Sequence, residues 1–150
     1  MELFRITRSE YQNDLSGIGA YYHGGRWNSP RNAMLYTCSR RSLAMLEILV
    51  HLQRPTPPPD YVVVVIFVPD SQKYTQSLSV IPDWQNDQQW TRETGDKWIK
   101  ERKSLILRVP SVIVRNESNY LINPNHPEAE SVKVISIEPF QFDQRLFRAG

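Results

Sequence analysis

The chain has 150 residues, the length of one ordinary domain, and can bury a real core without disulfides or a structural metal. Its 18 Lys and Arg nearly balance 16 Asp and Glu, leaving a formal charge of +2, so no strong field advertises a nucleic-acid backbone as partner. Cys38 is the single cysteine and excludes an intramolecular bridge, and no long apolar run or signal-type start is present; the expected setting is reducing and cytoplasmic, away from membrane.

In chain order, residues 3–6 alternate apolar and polar character as a half-buried strand does, and residues 16–30, dense in Gly, Asn, Tyr and His, predict an ordered loop. Residues 33–37 read as a short strand, and Ser39 or Ser42 offers an N-cap for a helix reaching about Gln53. Proline lacks an amide donor and clashes with a preceding helical turn, so residues 54–60 (RPTPPPD) form a stiff connector. The β-branched run at residues 61–68 (YVVVVIFV) predicts a core strand covered on both faces.

No period is sustained over residues 69–94, which predicts a long irregular segment; residues 95–103 read as one short helix. Residues 105–114 read as a strand interrupted by Pro110, residues 132–137 as a last alternating strand, and residues 140–147 as a segment packing back. No internal repeat occurs, and the class is α+β: a compact mixed sheet with flanking helices.

Glu47 is the only polar side chain in LAMLEILV, residues 43–50, and its apolar neighbours cover nearly the whole helix circumference. A carboxylate withdrawn from water needs a partner or a purpose, although the pattern fits equally a helix-edge glutamate whose tip reaches solvent. In GGRWN, residues 24–28, paired glycines let backbone approach a ligand, the Arg26 fork suits a phosphate or carboxylate, and Trp27 could wall a pocket; a tight turn with arginine stacked on tryptophan explains the same residues. Tyr36, in the strand before the Glu47 helix, fits a half-buried sheet residue as well as a ligand platform. Three scattered histidines and one cysteine give no metal-site spacing, and neither a GxGxxG nor a Walker sequence is present.

GGRWN, the LYT around Tyr36, the LAMLEILVHL helix, VPSVIV, NYLINPNH, GDKW and the closing FDQRL together resemble a RES domain along almost the whole chain. The resemblance carries the family's Arg, Glu and Ser onto Arg26, Glu47 and Ser111, with Tyr36 as the usual fourth member. A glycine expected between Asn28 and Tyr36 is replaced by Ser29-Pro30-Arg31-Asn32, where Asn32 can supply a left-handed turn and Arg31 reads as a solvated cation.

The resemblance implies an ADP-ribosyltransferase-like fold and a toxin that depletes NAD, paired with a cognate helix-turn-helix antitoxin, with a homodimer also allowed. NAD is then substrate, and no bound cofactor is expected. Glu47 would stabilise the cationic ribosyl group, Arg26 hold a phosphate, Tyr36 stack on or hydrogen-bond the nicotinamide end, and Ser111 orient Glu47 or a ribose oxygen. Asn119 and Asn123 read as turn formers outside the site. Two alternatives stay open: an ADP-ribosyltransferase with a protein acceptor, and a binding module using Trp27, Trp84, Trp90 and Arg40-Arg41 on nucleic acid, which the near-neutral charge disfavours.

Overall fold

The computed structural model describes residues 1–147. Its centre is a seven-stranded sheet built from β1 (Glu2–Arg8), β2 (Leu35–Cys38), β3 (Tyr61–Phe67), β4 (Thr75–Ser77), β5 (Ile106–Pro110), β6 (Ser118–Ile122) and β7 (Lys133–Phe140), in the order β4-β5-β6-β2-β1-β3-β7. The edge pair β4–β5 is parallel and the other neighbours are antiparallel. Four α-helices accompany it: α1 (Ile18–His23), α2 (Arg41–Leu49), α3 (Ser71–Tyr74) and α4 (Gln88–Glu101). The mixed sheet with flanking helices is the α+β arrangement that the sequence predicts.

Residues 61–67 form the expected interior strand, with Val63 to Ile66 buried because apolar groups cover both sheet faces. On one face Leu3, Leu35, Val64, Ile66, Ile106 and Ile122 join a common cluster. The opposite face carries two. Beneath α2, and packed against its Leu43 and Ala44, lie Phe4, Ile6, Cys38, Val63 and Val65. Trp98 and Ile99 of α4 and Trp27 and Met34 of the loop before β2 pack onto Leu107, Val109 and Leu121. The closing segment does pack back, as Phe142 is 2% exposed and meets Tyr61, Phe140 and Phe147 edge to face.

Several boundaries depart from the sequence reading. The loop at residues 16–30 contains α1, because Gly17, at φ 70, turns the chain so that its carbonyl starts the helix at Tyr21 N–H. Helix α2 begins after Arg40 without a serine cap and stops at Leu49; residues 50–52 then tighten into short-range turns ahead of Pro55. The expected irregular segment at residues 69–94 holds α3, β4 and the first half of α4.

Helix α4 starts seven residues before Gly95 because the Asp87 carboxylate accepts the Trp90 amide at 3.0 Å, and its buried stripe runs Thr91, Gly95, Trp98 and Ile99. Strand β5 ends at Pro110, and β6 occupies the stretch whose asparagines suggest turns because it is paired with β2 on one side and β5 on the other. Gly95 lets α4 touch the loop backbone: a Cβ there would sit 1.7 Å from Trp27 O. Gly95→Ala is therefore expected to lower unfolding free energy by about 3 kcal/mol in urea titration, through forced separation of helix and loop.

Candidate functional site

Residues directly opposite in antiparallel strands point their side chains to the same sheet face. The pairs Phe4↔Cys38, Cys38↔Asn119, Asn119↔Val109, Tyr36↔Leu121 and Leu121↔Leu107 thus lay Tyr36, Cys38, Asn119 and Val109 along one floor. Tyr36 belongs to the cluster under α4, and Cys38 to the cluster under α2. Two residues apart on β2, they stand about 7 Å from one another, so the seam between the clusters is narrow. Glu47 reaches this seam from α2, and the Arg26 loop borders it on the other side.

Glu47 is half-buried, not enclosed, since only Leu43 and Ala44 of its helix are fully covered. Its Oε1 accepts two hydrogen bonds, from Ser111 Oγ at 2.9 Å and Asn119 Nδ2 at 2.8 Å. Oε2 accepts none from the described residues. Ser111 is fully buried just past β5, where its Oγ also accepts the amides of Ile113 and Val114, each at 3.1 Å. The hydroxyl proton is therefore directed at Glu47, while the same oxygen also ties down the local backbone.

The Arg26 loop is built by most of its own side chains. Gly24 has φ 70 and ψ 177, a conformation open to glycine, and a Cβ on Gly25 would meet Tyr36 Oη at 2.6 Å. Asn28 is fully buried; its Nδ2 donates to the carbonyls of Ala20 and Asn32, both at 2.9 Å. The Tyr36 hydroxyl donates to Asn28 Oδ1 at 2.6 Å and accepts from Trp27 N–H at 3.0 Å. Its proton is committed to the loop, which leaves the ring as the part of Tyr36 available to a ligand. Burial, first of several influences, holds the phenol above its ordinary pKa and keeps that donor intact.

Trp27, expected as a pocket wall, is 2% exposed and stacks on Trp84 at 5.6 Å with Trp90 edge-on at 6.2 Å. The tryptophans form a core patch beneath the loop rather than a platform for bases. Arg31, and not Asn32, takes the left-handed turn, at φ 78, while its amide donates to Tyr21 O at 2.6 Å. Asn123 stays outside the site: it donates to Ile99 O and accepts from the Asn125 amide.

Helix α4 clasps the same loop from outside. Thr91 Oγ1 donates to Arg26 O at 2.6 Å, Arg92 Nε donates to Gly25 O at 3.0 Å, and Asp96 Oδ1 accepts the Ser29 amide at 2.9 Å. Arg26 is half-buried, with one guanidinium nitrogen donating to Gln85 O at 3.1 Å, so the rest of its fork remains for an anion. A separate hollow lined by residues 57–60, Phe140 and Phe142 contains Asp60 as its one ionisable side chain and shares nothing with Glu47 or Arg26. Among the described residues no cluster of His, Cys, Asp and Glu could hold a metal, and no helix is long and apolar enough to cross a membrane.

The sequence reading missed Asn119, Asn28 and the α4 side chains. Asn28 closes GGRWN, whereas Asn119 gains a face only through its place in strand β6. As a lone cysteine Cys38 signals only a redox setting; in the fold its Sγ donates to Asn119 Oδ1 at 3.3 Å.

A RES domain family model matches residues 2–143, and the chain belongs to that family. It is 38% identical to a protein named Toxin Res from Pseudomonas putida, over 98% of this chain and all of the relative. It is 37% identical to the Prs ADP-ribosylating toxin of a Sphingobium strain, over 95% and 92% of the two chains. The fold is similar to a chain in the crystal structure of the M. tuberculosis MbcT–MbcA toxin–antitoxin complex, with a TM-score of 0.69 at 17% identity, covering 97% of this chain and 86% of that one.

Two outcomes test this geometry. Ser111→Ala removes the acceptor for two amides and a donor to Glu47, and is expected to cost about 2 kcal/mol in urea unfolding. The Cys38 thiol is raised from 9.0 to about 12, by burial first and then by Glu47 and Glu117. It stays protonated at pH 8, so alkylation of the folded chain should run on the order of a thousandfold slower than that of a free cysteine. Unfolding restores the ordinary thiol, and stability from this group falls as pH rises from 9 towards 12.

Proposed function

We propose that the chain is the toxin of a toxin–antitoxin pair and that it consumes NAD by breaking the bond between nicotinamide and ribose. The observation carrying this reading is the state of Glu47: two donors hold Oε1 while Oε2 takes none among the described residues, and the Arg26 guanidinium keeps donors beyond its one bond to Gln85 O. Heterolysis sends the bonding pair to the nicotinamide nitrogen and leaves positive charge on the ribosyl carbon and ring oxygen. A fixed carboxylate stabilises that charge without having to reorganise as it develops. Water, phosphate or a protein group then attacks the sugar and loses a proton.

In this reading Arg26 grips the pyrophosphate, held by Gln85 O and by the α4 clasp on its own carbonyl, and so places the sugar against Glu47. The Tyr36 ring supports the nicotinamide end. The name of the Sphingobium relative favours a second version, transfer of the ADP-ribosyl group to a protein, with the same residues and a different acceptor. The toxin–antitoxin complex adopted by the similar fold supports a cognate antitoxin as partner; we infer a helix-turn-helix protein acting in the cytoplasm.

Purified wild type and Glu47→Gln, each incubated with NAD with and without phosphate, give the test by mass spectrometry. Wild type is expected to release nicotinamide, and Glu47→Gln to do so at least about a hundredfold more slowly, since the amide lacks the charge. The ribosyl product identifies the acceptor. Loss of NAD at equal rates in both proteins, or in neither with candidate acceptors present, overturns the reading.

A further inference from the structure

We propose that Asn119 is a positioning residue for Glu47, its side-chain amide turned by the Cys38 thiol so that one carboxylate oxygen is held and the other faces the groove. The inference rests on the reading of Glu47 as the carboxylate that meets the reacting sugar.

Asn119 is in the middle of three strands. Its backbone pairs with Cys38 on one side and Val109 on the other, so its side chain rises from the groove floor between theirs. An asparagine there could present either end of its amide to Glu47, because the two ends are almost the same shape. With the carbonyl end forward, two acceptors would face each other. The end turned away decides the matter: Asn119 Oδ1 lies 3.3 Å from Cys38 Sγ, which can donate only while it carries its proton. Burial keeps that proton in place, with the Glu47 and Glu117 charges adding to the effect.

The Asn119 Nδ2 donor therefore meets Glu47 Oε1 at 2.8 Å, and Ser111 Oγ meets the same oxygen at 2.9 Å. Two donors approaching one oxygen, one from β6 and one from the turn after β5, set the plane of the carboxylate, which a single rotatable hydroxyl leaves free to turn. The chain Cys38–Asn119–Glu47 thus runs from the covered floor to the open side of the groove.

The test compares Asn119→Ala, Asn119→Asp, Cys38→Ser and Cys38→Ala, each confirmed folded by circular dichroism. Misplacing Glu47 harms the transition state more than ground-state binding, so Asn119→Ala is expected to lower kcat by about tenfold or more with KM within about twofold. Asn119→Asp keeps the size and the acceptor for Cys38 but replaces the donor by a like charge, and should lose at least as much. Cys38→Ser retains a donor and stays within about threefold of wild type, whereas Cys38→Ala should fall by about fivefold.

Near wild-type kcat in Asn119→Asp, or a change in KM alone in Asn119→Ala, overturns the proposal in favour of a space-filling strand residue. A readout independent of NAD separates this inference from the function reading. In nitrogen-15 spectra of wild type, the Asn119 side-chain amide should give one protected pair of resonances that shifts in Cys38→Ala and loses protection in Glu47→Ala. An exchanging, unshifted amide overturns the clamp even if NAD is consumed; a protected, responsive one supports it even if NAD is left intact.

Discussion

A carboxylate half out of water has to be hydrogen-bonded, and Glu47 meets that demand with groups that are remote in sequence. Its donors come from 64 and 72 residues further along the chain. They are within reach because β6 lies directly beside β2, and β5 beside β6. The strand order is therefore a condition of the site. Removing β6 from its place would leave a partly buried charge with one donor fewer, a loss on the order of 2 kcal/mol before any effect on chemistry. The apolar residues on α2 serve the same end: Leu43 and Ala44 anchor the helix over β1 and β3, and that anchoring sets Glu47 at the seam.

The opposite wall answers a different physical problem, that of fixing an arginine on a loop. Loops are positioned by what they touch, and this one is touched from three sides: Tyr36 beneath, Asn28 within, and Thr91, Arg92 and Asp96 of α4 outside. The strain accepted there is concrete. Arg31 occupies a left-handed turn that favours glycine, at a cost of about 1 kcal/mol, and Gly24 adopts a conformation other residues resist. Hydrogen bonds to fully buried Asn28 and the stacked Trp27–Trp84 pair offset that cost. An arginine presented on so constrained a frame loses little further freedom when an anion arrives.

Local signals were readable in the sequence, and cross-strand ones were not. YVVVVIFV declared an interior strand because β-branched residues without a polar face have few other uses. Glu47 stood out by isolation, Arg26 by its glycines. The half-exposure of Glu47 could not be read, because periodicity gives a helix's own faces and not the gaps in what covers them. Asp87 caps α4, but with Thr and Gly in its buried stripe and polar residues between, the first half of that helix shows no apolar period to read. The motif ending in Pro124 makes Asn119 look like a turn former, and only the register with Cys38 and Val109 gives it a face. Trp27 looked like a ligand wall for the same reason that it is a core residue: a large ring beside a glycine pair fits either.

The residues of GGRWN then divide by what they have left to offer. Gly24 and Gly25 are consumed by conformation and close approach, Trp27 by packing, and Asn28 by its carbonyl partners; the guanidinium of Arg26 is the one side-chain group in the motif with donors to spare. The same division holds across the groove, where Ser111 and Asn119 spend their polar atoms on Glu47 and on neighbouring groups, and Glu47 keeps one oxygen free. A cation and an anion, each held by neighbouring side chains and backbone, flank the strand positions of Tyr36 and Cys38. Such a pair suits a substrate with negative charge at one end and developing positive charge at the other, and it places the burden of selectivity on the rigidity of the two walls rather than on a closed pocket.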